Sequence, residues 1–93
     1  DWSDLKMLVP HAEMLDPDKE AINRFCRATD KFTYANSIIR PFERFQFLRT
    51  MEQSFFDVIY QEPGYFELLK LLHDHFCQEV EVWSQTDVDA IFL

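Results

Sequence analysis

The sequence predicts an α/β fold, helix-rich, with two parallel strands joined by long helices. Two short β-prone runs carry the prediction, "FTYA" at 32–35 and the apolar close "DVDAIFL", whose strand covers about 88–93. Between them lies a long stretch whose apolar residues recur every three or four positions, as in helices. Strands separated by a crossover of that length pair in parallel. Parallel strands in turn belong to sheets covered on both faces and flanked by further strands. Two strands do not complete such a sheet. The 93 residues are therefore expected to be a single partial domain, with "DVDAIFL" marking a cut through a larger α/β unit.

The first sixteen residues, "DWSDLKMLVPHAEMLD", lack a sustained period and contain Pro10, so they read as an extended or single-turn leading segment. Asp16 before Pro17 is a helix-start signal, and Asp18 and Glu20 suit the positive end of a helix dipole. Ile22, Phe25 and Cys26 then give the predicted helix over 17–29 one apolar face.

After the 32–35 strand, Asn36 and Ser37 read as loop, and Pro41 opens a helix expected over 41–60. Phe45, Leu48, Met51, Phe55 and Ile59 form its apolar stripe. The "QEPGYF" break at 61–66 places Pro63 in the first turn of the next helix, expected over 63–85. Leu69, Leu72, Phe76, Val80 and Trp83 carry the stripe onward. No internal repeat or low-complexity tract interrupts this order.

Composition narrows the function classes. A hydrophobic fraction of 47% suits a packed core, and no apolar run approaches the roughly 20 residues of a membrane span. A soluble, cytoplasmic protein is expected. A formal charge of −8 repels phosphate backbones, which speaks against nucleic acid as a partner. One glycine, Gly64, leaves no nucleotide-binding fingerprint. Cys26 and Cys77, each among apolar helical neighbours, suit buried reduced thiols.

In "HDHFC", His73 and Cys77 share a helical face, a spacing that can share a metal ion. Two ligands do not make a site, so no metal is expected there, and Cys77 is expected to be buried beside surface histidines. His11, Cys26 and an acid have no spacing that selects them as a nucleophile with its base.

"RPFERFQFLRTMEQ", 40–53, is the most distinctive stretch. Its arginines could fork onto the carboxylates of a polycarboxylate ligand at a strand-to-helix junction. Arg40 directly follows the strand region and takes the ligand-side role. Arg49, two turns further on, takes a structural one.

A strand ending in a small polar loop, Pro41-Phe42 opening a helix, a proline break before a long leucine-rich helix, and a closing "VDAIFL" strand together resemble the uroporphyrinogen decarboxylase family, in the broad sense that includes corrinoid-linked methyltransferases. The resemblance covers about Phe32 to Leu93, and more loosely "DWSDLK" and "DPDKEA". It implies a helix-rich fragment of a (β/α)8 TIM barrel, a fold of about 250 residues. It also implies cofactor-free decarboxylation of acetate groups on a cyclic tetrapyrrole, or methyl transfer through a corrinoid protein.

In the decarboxylases a Pro-Phe-Thr-Leu or Pro-Trp-Thr-Leu run follows this strand. Pro41 and Phe42 match it, whereas Glu43 and Arg44 replace threonine and leucine. Glu43 beside an acidic substrate requires a neighbouring cation, Arg40 or Arg44. The family's catalytic aspartate and arginines fall upstream of this sequence, and the methyltransferases' zinc ligands fall downstream. The catalytic residues therefore stay unknown, and Asn36, Ser37, Arg40 and Phe42 are the expected substrate-binding residues. Surface left bare by absent neighbours would make the piece self-associate. The competing reading from another class is a free-standing acidic helical module that binds a partner through its Phe/Leu stripe.

Overall fold

The computed structural model describes residues 1–8, 15–37 and 40–92. A 3-10 helix, Trp2–Met7, leads, followed by α1 (Lys19–Ala28), β1 (Tyr34–Asn36), α2 (Pro41–Arg49), α3 (Met51–Tyr60), α4 (Pro63–Ser84) and β2 (Ala90–Phe92). The protein is helix-rich with two parallel strands in an open sheet. It divides into two compact units, one of Asp1–Pro10 with Ile39–Phe76 and one of His11–Ile38 with Cys77–Leu93.

In the first unit Phe45, Leu68 and Leu72 form the buried centre, with Trp2, Leu5 and Tyr65 packed around it. The Tyr65 ring meets Phe45 edge-on at 5.6 Å, a favoured aromatic geometry. The described start of the leading segment, Trp2–Met7, makes two 3-10 turns where an extended or single-turn segment is expected. Asp1 caps it, accepting bonds from the Ser3 amide and hydroxyl.

The helix expected over 41–60 is two helices. Thr50, at φ 71° and ψ 156°, ends α2 and caps α3, its hydroxyl accepting from the Gln53 amide at 3.3 Å. A residue at that φ cannot carry the α-helical path forward. The expected stripe breaks with it. Phe45 is buried, but Leu48, Met51, Phe55 and Ile59 are exposed, and α3 turns Ser54 and Asp57 inward instead. Gln61, in the left-handed region, stops α3, and Pro63 opens α4 at its first position. At 1.5 Å rise per residue, the 22 residues of α4 extend about 33 Å.

In the second unit α1 starts two residues later than expected. Asp18, not Asp16, is its cap, because its carboxylate reaches the Ala21 amide at 3.0 Å. Of the expected apolar face, Ile22 and Cys26 are half-buried and Phe25 points to solvent. Asn23 Oδ1 accepts from the Asp87 amide at 2.8 Å, and Arg27 pairs with the Asp87 carboxylate at 2.7 Å.

β1 begins two residues, and ends one residue, after the expected 32–35. The Asp89 carboxylate takes up the Thr33 amide and hydroxyl at 2.8 and 3.1 Å, so Thr33 serves as the cap at which pairing begins. The register is Tyr34 opposite Ala90, Ala35 opposite Ile91 and Asn36 opposite Phe92. Asn36, expected in a loop, is therefore the last strand residue. β2 falls inside the expected 88–93, whose last residue, Leu93, lies outside the described residues.

Candidate functional site

At the carboxyl end of the parallel pair, Ser37 follows β1 directly. Its amide donates to the Phe92 carbonyl at 2.9 Å, extending the ladder by one bond. Its hydroxyl donates to the Glu79 carboxylate at 3.0 Å, from a position on α4. Ser37 is 3% exposed and Glu79 6%. Asn36, one residue earlier, is exposed, and the Tyr34 and Phe92 rings lie 6.1 Å apart beside it. The expected residues Asn36 and Ser37 thus sit together, one open to solvent and one anchored beneath.

Arg40 and Phe42 belong to the other unit. Arg40 is the cap residue of α2 and makes no side-chain capping bond, because a guanidinium has no acceptor for the helix amides. It meets Glu43 at 3.4 Å with both side chains about half exposed, and such a pair is worth only tenths of a kcal/mol. This supplies the cation that Glu43 requires. Arg44 lies over the Phe47 ring at 5.6 Å. Phe42 stacks on Phe45 at 6.2 Å with part of its surface open, so it is tied to the core of its unit as well as to solvent.

Arg49 is committed elsewhere in the same unit. Its Nε and Nη2 fork onto Asp57 at 2.7 and 2.9 Å, and Gln53 adds a third bond to that carboxylate at 3.1 Å. The other face of the guanidinium lies 3.9 Å from the Trp2 ring. Trp2 Nε1 donates to Glu62 at 2.6 Å, and the indole packs against Gly64 so tightly that a Cβ there would lie 2.8 Å from Trp2 Cε3 and nearer still to Cγ.

The hydrogen bonds from Arg49, opposed by burial and helped by Gln53, hold the Asp57 carboxyl below the usual carboxylate range. The same bond to Asp57, opposed by burial, raises Arg49. A cleft of about 160 Å³ opens beside this stack, lined by Trp2, Asp4, Leu5, Leu48, Arg49 and Leu68. It is smaller than the roughly 300 Å³ at which small-molecule sites begin. With its charge met by Asp57, Arg49 braces the fold here.

The "HDHFC" expectation is corrected. Cys77 is exposed, and His75, not the thiol, is the half-buried member, with Nδ1 enclosed and lacking a hydrogen-bond partner among the described residues. Neither Cys26 nor Cys77 is in a disulfide. Among the described residues, no three of His, Cys, Asp and Glu stand close enough to share a metal ion. His11 lies outside the described residues.

Glu79, Asp57 and Trp2 matter here, and sequence reasoning missed all three. Each acts through a partner that chain folding delivers rather than through a local motif.

No protein-family model, curated protein or solved structure matches the chain. Among the described residues, no helix is long and apolar enough to cross a membrane.

Proposed function

We propose that these residues form part of a (β/α)8 barrel enzyme of the uroporphyrinogen decarboxylase kind, acting without a cofactor on a carboxylate-bearing tetrapyrrole or a related substrate. The observation that carries the reading is the parallel pairing of β1 and β2 across a crossover of three helices. Such βαβ units build sheets whose strands have neighbours on both sides and helices on both faces. Among the described residues each strand has one neighbour.

The helix surfaces support the same conclusion. At about 100° per residue, Val58, Met51, Phe55, Ile59, Phe56 and Tyr60 sweep roughly 200° of the outward side of α3, broken by Glu52 alone. All six are exposed, while the inward side carries Ser54 and Asp57. A helix that is apolar toward solvent and polar toward its own unit is covered from outside in its working context. Neighbouring β/α units of one barrel provide that cover.

Arg40 is assigned to bind a carboxylate of the substrate. It sits on the cap of α2, where the helix amides add positive potential, and its ion pair among the described residues is with the partly exposed Glu43. The test compares the complete gene product with its Arg40→Ala variant in an assay for carboxylate loss from uroporphyrinogen. A rise in KM of about tenfold is expected from the loss of one charge-assisted contact worth about 1.5 kcal/mol. Unchanged substrate affinity and turnover would remove Arg40 from the reading. Turnover of a methylated corrinoid in place of the tetrapyrrole would move the protein to the methyltransferase branch.

The outward apolar arc of α3 also favours a second reading, an acidic helical module that docks a partner through that face. A 93-residue protein that stays monomeric and unfolds in one cooperative transition would favour the module. Self-association of the isolated chain is what the barrel reading expects.

A further inference from the structure

We propose that Glu79 is a positioning residue that holds Ser37, and with it the carboxyl end of β1, on the ligand side of the parallel pair. The inference rests on the barrel reading, in which ligands meet the carboxyl ends of the strands. A carboxylate as enclosed as Glu79 carries a desolvation penalty that a leucine on the same helix would avoid. What the carboxylate adds is direction. It takes the Ser37 hydroxyl at 3.0 Å, across 42 residues of sequence.

The Ser37 amide, meanwhile, is bonded to Phe92 of β2 at 2.9 Å. One residue is thus tied at once to the neighbouring strand and to α4. These bonds stand immediately after Asn36, the exposed strand end. Fixing Ser37 fixes the backbone that presents Asn36, at the point where an α/β enzyme needs precise placement and a bare strand end would fray.

The test uses the complete protein and its Glu79→Ala, Ser37→Ala, Glu79→Gln and double-alanine variants. Two readouts are taken, amide exchange at residue 37 by NMR and steady-state kinetics on uroporphyrinogen. Each alanine variant is expected to speed exchange at residue 37 about tenfold. Each is also expected to raise KM about fivefold with kcat within twofold, and the double variant should lose less than the product of the two single losses. Glu79→Gln, which keeps an acceptor oxygen for the hydroxyl, should return exchange to within about threefold of wild type.

Unchanged exchange in Glu79→Ala, or losses that multiply in the double variant, would overturn the positioning role. Equal falls in kcat and stability with KM unmoved would reduce Glu79 to packing and also overturn it. If the wild-type protein leaves uroporphyrinogen untouched, the decarboxylase reading fails by itself, and the exchange data still decide whether Glu79 holds Ser37.

Discussion

The Arg49 guanidinium spans the break between α2 and α3 to fork onto the Asp57 carboxylate, at 2.7 and 2.9 Å. This bond explains why α3 turns a charged residue inward and its aromatic residues outward. With one partner 19% exposed and the other 5%, the pair is shielded enough that losing half of it leaves an uncompensated charge. Asp57→Ala and Arg49→Ala are each expected to destabilise by about 3 kcal/mol, measured by urea unfolding. Arg49→Lys keeps the charge but loses the fork, and should cost about 1–2 kcal/mol.

Acid should remove the same contribution. Because the folded-state carboxyl of Asp57 lies below its ordinary value, its stabilisation is complete above the unfolded value of about 4 and disappears as pH falls through the folded one. The difference in Tm between wild type and Asp57→Asn should therefore be constant from pH 7 to about 5 and shrink below about pH 4. A difference that grew on acidification would reverse the assignment.

Gly64 is expected to behave in opposite ways in two backgrounds. Within α4, alanine gains up to about 1 kcal/mol of helix propensity over glycine. Against the Trp2 ring the new methyl overlaps the indole, and overpacking of this kind costs about 1–3 kcal/mol. Gly64→Ala should lower Tm in the wild type and raise it in Trp2→Ala. The sign change in a double-mutant cycle is the measurement.

Thr50 occupies a backbone region that glycine alone adopts freely, at φ 71° and ψ 156°. Thr50→Gly relieves roughly 1–3 kcal/mol of strain, against about 1 kcal/mol of backbone entropy and a few tenths for the weaker cap. A gain of about 1 kcal/mol is expected, read as a Tm higher by several degrees. Thr50→Ala keeps the strain, loses the cap, and should destabilise by about 1 kcal/mol.

How far these features can be read from the sequence depends on how local their causes are. α4 is legible because its periodicity is unbroken and Pro63 marks its first turn. The division at Thr50 had a signal of its own, since Thr50 and Gln53 stand at capping-box spacing. The apolar stripe running through it argues for continuity, and the stripe misleads because α3 faces the Arg49 charge. β1 is found within two residues from its aromatic and β-branched content. Its register is set by Asp89 gripping Thr33 from 56 residues away, which no local pattern encodes.

The expected site divides in the same way. Ser37 directly follows the strand, where its neighbours in sequence place it, and Arg49, expected to be structural from its depth in the helix, is paired with Asp57. Glu79 is invisible beforehand because its partner is 42 positions distant, and Cys77 is misjudged because half a helical turn separates an inward from an outward side chain.

The most direct test of the central claim is an experimental structure of the complete gene product, inspected at the outer edges of Tyr34–Asn36 and Ala90–Phe92. The account predicts a second hydrogen-bonded strand along each of those edges, with the outward side of α3 buried under adjoining helices. A sheet of these two strands alone, with both edges in water, and Phe55 and Ile59 still facing solvent, would contradict it.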